Sequence, residues 1–179
     1  MLLRAEGVSV AFGGVKALTE VDLEVGAAEL VGLIGPNGAG KTTLIDAVTG
    51  FTPVTAGRVS LGERELAGLT PDRRARLGLV RTFQAGETFA PLTVAEHLLA
   101  AAQPPGALGA LRDLVAPRRA RVVDVAWVLD ELGLADVADQ FPDDLSYGQR
   151  KLVDLARALV TKPKVVLCDE PAAGLASTE

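Results

Sequence analysis

No apolar stretch in this chain approaches the roughly 18 residues of a membrane-spanning helix, so any link to a membrane is expected to run through a partner. The opening MLLRAEGVSV has no basic region followed by a long apolar core and a small-residue cleavage site. Without that export pattern the expected address is cytoplasmic. A single cysteine excludes an internal disulfide, and the position of Cys168 in an apolar run predicts a buried small hydrophobe rather than a reactive thiol. Positive charge is in deficit: 18 Lys and Arg against 23 Asp and Glu leave a net charge of -5. This argues against a broad, sequence-independent nucleic-acid surface, and no basic stripe offsets the average. Neither an internal repeat nor a low-complexity tract is visible. What remains is 49% hydrophobic residues spread over 179 positions, enough for one substantial core with a subdomain.

Strand-like and helix-like stretches alternate. Val8, Val10 and the run Val21 to Val25 have strand spacing, with Phe12-Gly13-Gly14 as the turn between two strands. The nearly continuous apolar run from Glu29 to Ile34 predicts a strand buried on both faces of a sheet. From Lys41, Leu44, Ala47 and Val48 follow helical spacing, and Gly50 stands where that helix should end. Further strands are expected at Arg58 to Leu61 and Leu79 to Phe83, with a short helix after Pro71. Between about Gln84 and Asp144 the strand signals vanish. Helical patterns at Val94 to Ala101 and Ala120 to Leu132 flank the Pro- and Gly-rich QPPGALGAL, which predicts an inserted helical subdomain. Thr93-Val94-Ala95-Glu96 has the form of a capping box.

The stretch GPNGAGKT, Gly35 to Thr42, fits a phosphate-binding loop and lies between the expected strand and helix. Gly35, Gly38 and Gly40 allow a tight wrap in which backbone amides converge on phosphate oxygens at a helix N-terminus. The candidate nucleotide-binding residues are Gly35, Asn37, Gly38, Ala39, Gly40, Lys41, Thr42 and Thr43. Lys41 is expected to reach the β- and γ-phosphates, and the Thr42 hydroxyl to coordinate Mg2+. Downstream, Val165 to Cys168 reads as a buried strand, with Asp169 at its C-terminal end, where ligands bind in open parallel sheets. In that setting Asp169 is expected to be a metal ligand and Glu170 the residue that activates or orients the attacking water.

Leu145-Ser146-Tyr147-Gly148-Gln149 opens a helix with Leu152, Leu155, Ala156 and Leu159 on one face and Arg150, Lys151 and Arg157 off it. Ser146 and Gln149 have capping-box spacing, which by itself accounts for both. Gly148 does not help a helix: a glycine there costs roughly 1 kcal/mol relative to alanine, a cost consistent with close approach of backbone to an anion.

Taken in order, Phe12, GPNGAGKT, Gln84 within RTFQ, LSYGQ and VVLCDEP make the chain resemble ATP-binding cassette (ABC) ATPases from end to end. The segments VTGFTPVTAGRV, LGLVRTFQ, LSYGQRK and DEPAAGL most resemble the ATPases of branched-chain amino acid importers. The resemblance implies an α/β fold: a P-loop NTPase core with a mainly parallel sheet, an N-terminal antiparallel β subdomain and an inserted helical subdomain. Residues 1–84 would form the nucleotide-binding core, 85–148 the helical subdomain ending in the signature, and 149–179 the return to the core. It further implies that Phe12 stacks on adenine, and that Gln84 is a catalytic residue and a second metal contact. Ser146, Gly148 and Gln149 would bind the ATP held by a partner cassette. ATP and Mg2+ are the implied cofactors. The implied partners are a second ATPase subunit, identical or homologous, and transmembrane permease subunits. The resemblance further implies a periplasmic or extracellular solute-binding protein acting indirectly, and no nucleic acid. The implied location is peripheral, on the inner face of the cell membrane.

Two departures from the family pattern stand out. Ala176 occupies a position where Asp or Asn is usual, and the sequence stops at Glu179, before the later strands and a switch histidine. The expectation is therefore of a C-terminally truncated chain with incomplete machinery for turnover. The alternatives are a nonhydrolytic nucleotide-binding regulator and an ATPase of DNA repair or translation. Neither a long coiled-coil insertion nor a second cassette supports the last of these. His97, the single histidine, is expected on the surface of the helical insertion or partly packed there.

Overall fold

The computed structural model describes residues 1–82, 92–102 and 118–169, and these fall into two compact units. The first comprises Met1–Arg81 and Pro163–Asp169. Strands β1 (Leu3–Phe12), β2 (Val15–Val25), β3 (Ala56–Leu61) and β4 (Arg64–Glu65) form an antiparallel sheet in the order β2-β1-β3-β4. Leu3 and Ala5 of β1 face the core, and so do Val8 and Val10, one residue out of phase. The slip is taken up between Ala5 and Val8, where the register shifts and Gly7 adopts a φ of 57°. A bulge of this kind keeps both halves of a long strand facing one core. Gly57 of β3 runs against it so closely that a Cβ would lie 2.4 Å from the Gly7 carbonyl oxygen.

Helix α1 (Lys41–Thr49) buries Leu44, Ile45, Ala47 and Val48, and Leu44, Ala47 and Val48 pack with the sheet residues Leu3, Val10, Leu18 and Val59 in one core. Its last turn is closed from outside. Arg74 of α2 (Pro71–Arg76) donates from Nη1 to the Ala47 and Val48 carbonyls at 3.0 and 2.7 Å, and from Nε to Leu69 O at 3.1 Å. A guanidinium at a helix C-terminus satisfies orphan carbonyls and complements the helix dipole. Strand β5 (Leu79–Arg81) pairs in parallel with β6 (Val165–Leu167), joining Leu79 to Val165 and Arg81 to Leu167. A parallel pair needs a long crossover, and the chain between these two strands supplies the second unit.

That unit contains α3 (Val94–Ala101), α4 (Arg118–Glu131) and α5 (Tyr147–Leu159), with short 3-10 turns at Ala135–Val137 and Pro142–Asp144. Val94, Leu98, Val125, Val128, Leu134, Val153 and Ala156 are among its buried core. Thr93 caps α3 with the full reciprocal box: its Oγ1 accepts from Glu96 N–H while Glu96 Oε2 accepts from Thr93 N–H.

Four expectations require correction. The run from Glu29 to Ile34 is not a doubly buried strand: Leu30 is 99% and Ile34 92% exposed. An apolar run becomes a strand only when neighbours take its backbone groups, and among the described residues no strand pairs with it. His97 is buried, not a surface residue, because it lies on the same helix as Val94 and Leu98 and its Nδ1 meets the Thr93 carbonyl at 2.9 Å. The buried face of α5 includes Val153 as well as Ala156, with Leu152 and Leu159 only partly buried against the same core. Cys168 is half-buried, like the β6 residues Val166 and Leu167 before it, and only Val165 of this run is fully buried.

Candidate active site

Gly40 fixes the geometry of the candidate phosphate loop. It is the N-cap of α1 with φ 88° and ψ 11°, a left-handed conformation that favours glycine. A Cβ there would lie 2.7 Å from Leu18 Cδ2 and 2.9 Å from the Ala17 carbonyl oxygen, so space and torsion both demand glycine. Having no side chain, Gly40 cannot cap the helix as Thr93 and Ser146 cap theirs. The first-turn N–H groups of α1, which have no partner inside the helix, are left to an external acceptor. Gly35, Pro36, Asn37, Gly38 and Ala39 are all exposed. An exposed loop ending in an uncapped helix N-terminus has the electrostatics of an anion site.

Lys41 places a positive charge over that loop. Its Nζ donates to the Gly35 carbonyl at 2.7 Å and the Pro36 carbonyl at 2.8 Å, which holds the side chain curled back on the loop. Thr42 is exposed and Thr43 half-buried, while Leu44 behind them is in the core. Hence the helix offers its hydroxyl-bearing first turn outward and anchors itself through the next residue.

In the same unit, Asp169 follows β6, with its side chain 9% exposed and its Oδ2 3.6 Å from Arg81 Nη2. Arg81 Nη1 also pairs with Asp46 of α1. Sequence reasoning missed both Arg81 and Asp46. The signal was present: an arginine inside the apolar LGLVRTF must be paired if it is buried. Among the described residues no group of three or more His, Cys, Asp or Glu side chains could hold a metal alone. The available donors, the Thr42 hydroxyl and the Asp169 carboxylate, are hard oxygens. They suit Mg2+, which usually keeps several waters and takes substrate phosphates as its other ligands.

Phe12 ends β1 beside the Gly13-Gly14 turn and is 51% exposed, so it is not consumed by packing. Gln84 and Glu170 lie outside the described residues, as does Ala176. In the second unit, Ser146 caps α5: its Oγ accepts from Gln149 N–H at 3.3 Å, and Gln149 Oε1 accepts from Ser146 N–H at 3.0 Å. Ser146 and Tyr147 are exposed, Gly148 and Gln149 half-buried, and Leu145 buried behind them.

A family model described as ABC transporter matches residues 18–173. The chain belongs to the ABC transporter family. It is 42% identical over 181 residues to the high-affinity branched-chain amino acid transport ATP-binding protein LivG of Salmonella typhimurium, covering 97% of this chain and 71% of that protein. To the corresponding protein BraF of Pseudomonas aeruginosa it is 37% identical with the same coverage. Among solved structures, MJ1267, an ATP-binding cassette of an ABC transporter, matches with a TM-score of 0.85 and 36% identity, over 98% of this chain and 71% of that one. MJ1267 in its ADP conformation matches with a TM-score of 0.83, also at 36% identity, over 98% of this chain and 70% of that one. The chain is thus an α/β ABC ATPase that binds ATP, with hydrolysis coupled to transport. No helix among the described residues is long and apolar enough to cross a membrane.

Proposed function

We propose that this ABC protein is the ATP-hydrolysing subunit of a branched-chain amino acid importer, driven by ATP-dependent pairing of two cassettes. The observation that carries the site reading is the exposed loop from Gly35 to Ala39, opening at Gly40 into an uncapped helix under the Lys41 ammonium, in one unit with Asp169. The solute reading rests on the similarity to LivG and BraF.

In this account the loop amides of Gly38, Gly40 and Lys41 and the α1 dipole bind the phosphates, and Phe12 stacks on the base. Lys41 leaves its carbonyl partners for phosphate oxygens, exchanging two neutral acceptors for charged ones. Thr42, Asp169 and Gln84 would hold Mg2+. When bound, that ion neutralises charge on the phosphate oxygens. Glu170 orients and deprotonates the attacking water.

Ser146, Gly148 and Gln149 face the ATP of a second cassette, identical or homologous, where hydroxyl, amides and helix dipole complete the γ-phosphate site. Neither cassette closes its site alone, which makes pairing depend on ATP. Permease subunits hold the pair at the inner face of the membrane, and a solute-binding protein outside selects the cargo. The proposed division into residues 1–84, 85–148 and 149–179 groups the chain by motif, while by packing α5 (Tyr147–Leu159) belongs wholly to the second unit.

The test is Glu170→Gln in the full-length protein. ATP binding should persist, turnover should fall by about 100-fold or more, and the cassettes should remain paired with ATP bound. Loss of ATP binding as severe as that of Lys41→Ala would refute the assignment. In vesicles containing the permease, turnover should respond to binding protein loaded with leucine, isoleucine or valine. A response to an unrelated solute alone would refute the solute reading.

A further inference from the structure

Arg81 stands between two carboxylates. Its side chain is 11% exposed, Nη1 pairs with Asp46 Oδ1, Nη2 lies 3.6 Å from Asp169 Oδ2, and the guanidinium carbon is 5.4 Å from the centre of the Phe51 ring. One cation thereby joins the helix that follows the phosphate loop to the residue just beyond β6. The parallel pairing of Arg81 with Leu167 sets the reach, since Asp169 is two residues further along that strand's path. Asp46 is half-buried, its side chain 28% exposed, and reaches Arg81 from the middle of α1.

The charge count gives this arrangement a consequence for the nucleotide's metal. A guanidinium paired with Asp169 alone would neutralise the carboxylate a divalent cation needs and would repel that cation at short range. With Asp46 on its other edge, the three groups carry a net single negative charge. The nearest approach of the guanidinium to Asp169 is to Oδ2, at 3.6 Å, an arrangement in which Oδ1 would serve the cation. We propose that Asp46 is a charge-balancing residue and Arg81 a positioning residue for the metal carboxylate: Asp46 keeps Arg81 from neutralising Asp169, while Arg81 fixes the direction in which Asp169 points. This rests on Asp169 being the metal carboxylate of the proposed function.

The test titrates Mg2+ into the full-length protein with a fluorescent ATP analogue, alongside nucleotide affinity measured in EDTA. Asp46→Asn should raise the half-saturating Mg2+ concentration by about five- to ten-fold, the size expected for losing one partly buried charge partner. Affinity in EDTA should stay within about two-fold of wild type. Asp46→Glu should restore the wild-type value. Adding Arg81→Met to Asp46→Asn should also move the Mg2+ requirement back toward wild type, because the unbalanced guanidinium is gone. A merely structural role for Asp46 would lower affinity in EDTA as well and make the double variant worse than either single one, which would overturn the proposal. Melting curves establish that each variant is folded; if the double variant is not, the Asn and Glu variants of Asp46 decide. Wild type that needs Mg2+ while Asp46→Asn does not differ from it would overturn the charge-balancing role and leave Asp169 as the metal residue. Wild type that shows no Mg2+ dependence would remove both.

Discussion

Leu18 leaves no room for a side chain at Gly40: a Cβ on Gly40 would sit 2.7 Å from Leu18 Cδ2, at a backbone φ of 88°. The second strand of the antiparallel sheet therefore braces the candidate phosphate loop from behind. Gly40→Ala should lower stability by about 1–3 kcal/mol through torsional strain and overlap and weaken ATP binding by more than about ten-fold. Gly38 has a similar φ of 80° but open space around it, so Gly38→Ala should show only the strain and cost less. Thermal melts with nucleotide titration check this pair, and equal effects of the two substitutions would contradict the bracing.

Ser146 has two roles that substitutions can separate. As a cap it accepts from Gln149 N–H, so Ser146→Ala should cost about 1 kcal/mol in a urea melt. Aspartate caps equally well and suits the positive end of the helix dipole, so Ser146→Asp should hold stability near wild type. It would also set a negative charge where the partner's γ-phosphate is proposed to lie. ATP turnover by Ser146→Asp should fall by at least about ten-fold despite the intact cap. Turnover that followed stability alone would leave Ser146 as a cap and nothing more.

Asp154 makes the helical unit sensitive to pH. Burial pushes its carboxyl above the ordinary aspartate value, only partly offset by the nearby Arg157, His97 and Lys151 charges. A carboxyl that holds its proton more tightly when folded contributes stability at low pH, and loses that contribution as pH rises from the unfolded-state value through the raised folded-state value. Across that window the wild type should lose stability relative to Asp154→Asn, and above it the difference should level off. Urea melts at closely spaced pH values measure this. A wild type that gained on the variant as pH rose would mean that the Arg157 ion pair at 3.2 Å outweighs burial.

The elements most legible from the residues were those whose signals are local. The Phe12-Gly13-Gly14 turn, the capping boxes at Thr93 and Ser146, and Gly50 as the end of α1 all depend on neighbours within four positions, and all appear as expected. The left-handed Gly38 and Gly40 of the candidate phosphate loop are local in the same sense, whereas the strand expected just before that loop is not formed. Burial of His97 and the Arg81 pairing with Asp46 and Asp169 depend on what other segments bring alongside, which no periodicity reveals. The run from Leu30 to Ile34 shows the same limit: hydrophobicity states that a segment needs neighbours, while the neighbours decide whether it becomes a strand. The unexpected features of the site arise at these long-range contacts.

Binding of ATP by the folded protein, measured by calorimetry with and without Mg2+, tests the central assignment most directly. Saturable binding that tightens with Mg2+, and that weakens by at least about ten-fold in Lys41→Ala with little change in melting temperature, is the expected result. Absence of saturable ATP binding by folded wild type, or a Lys41→Ala variant that binds as tightly as wild type, would contradict it.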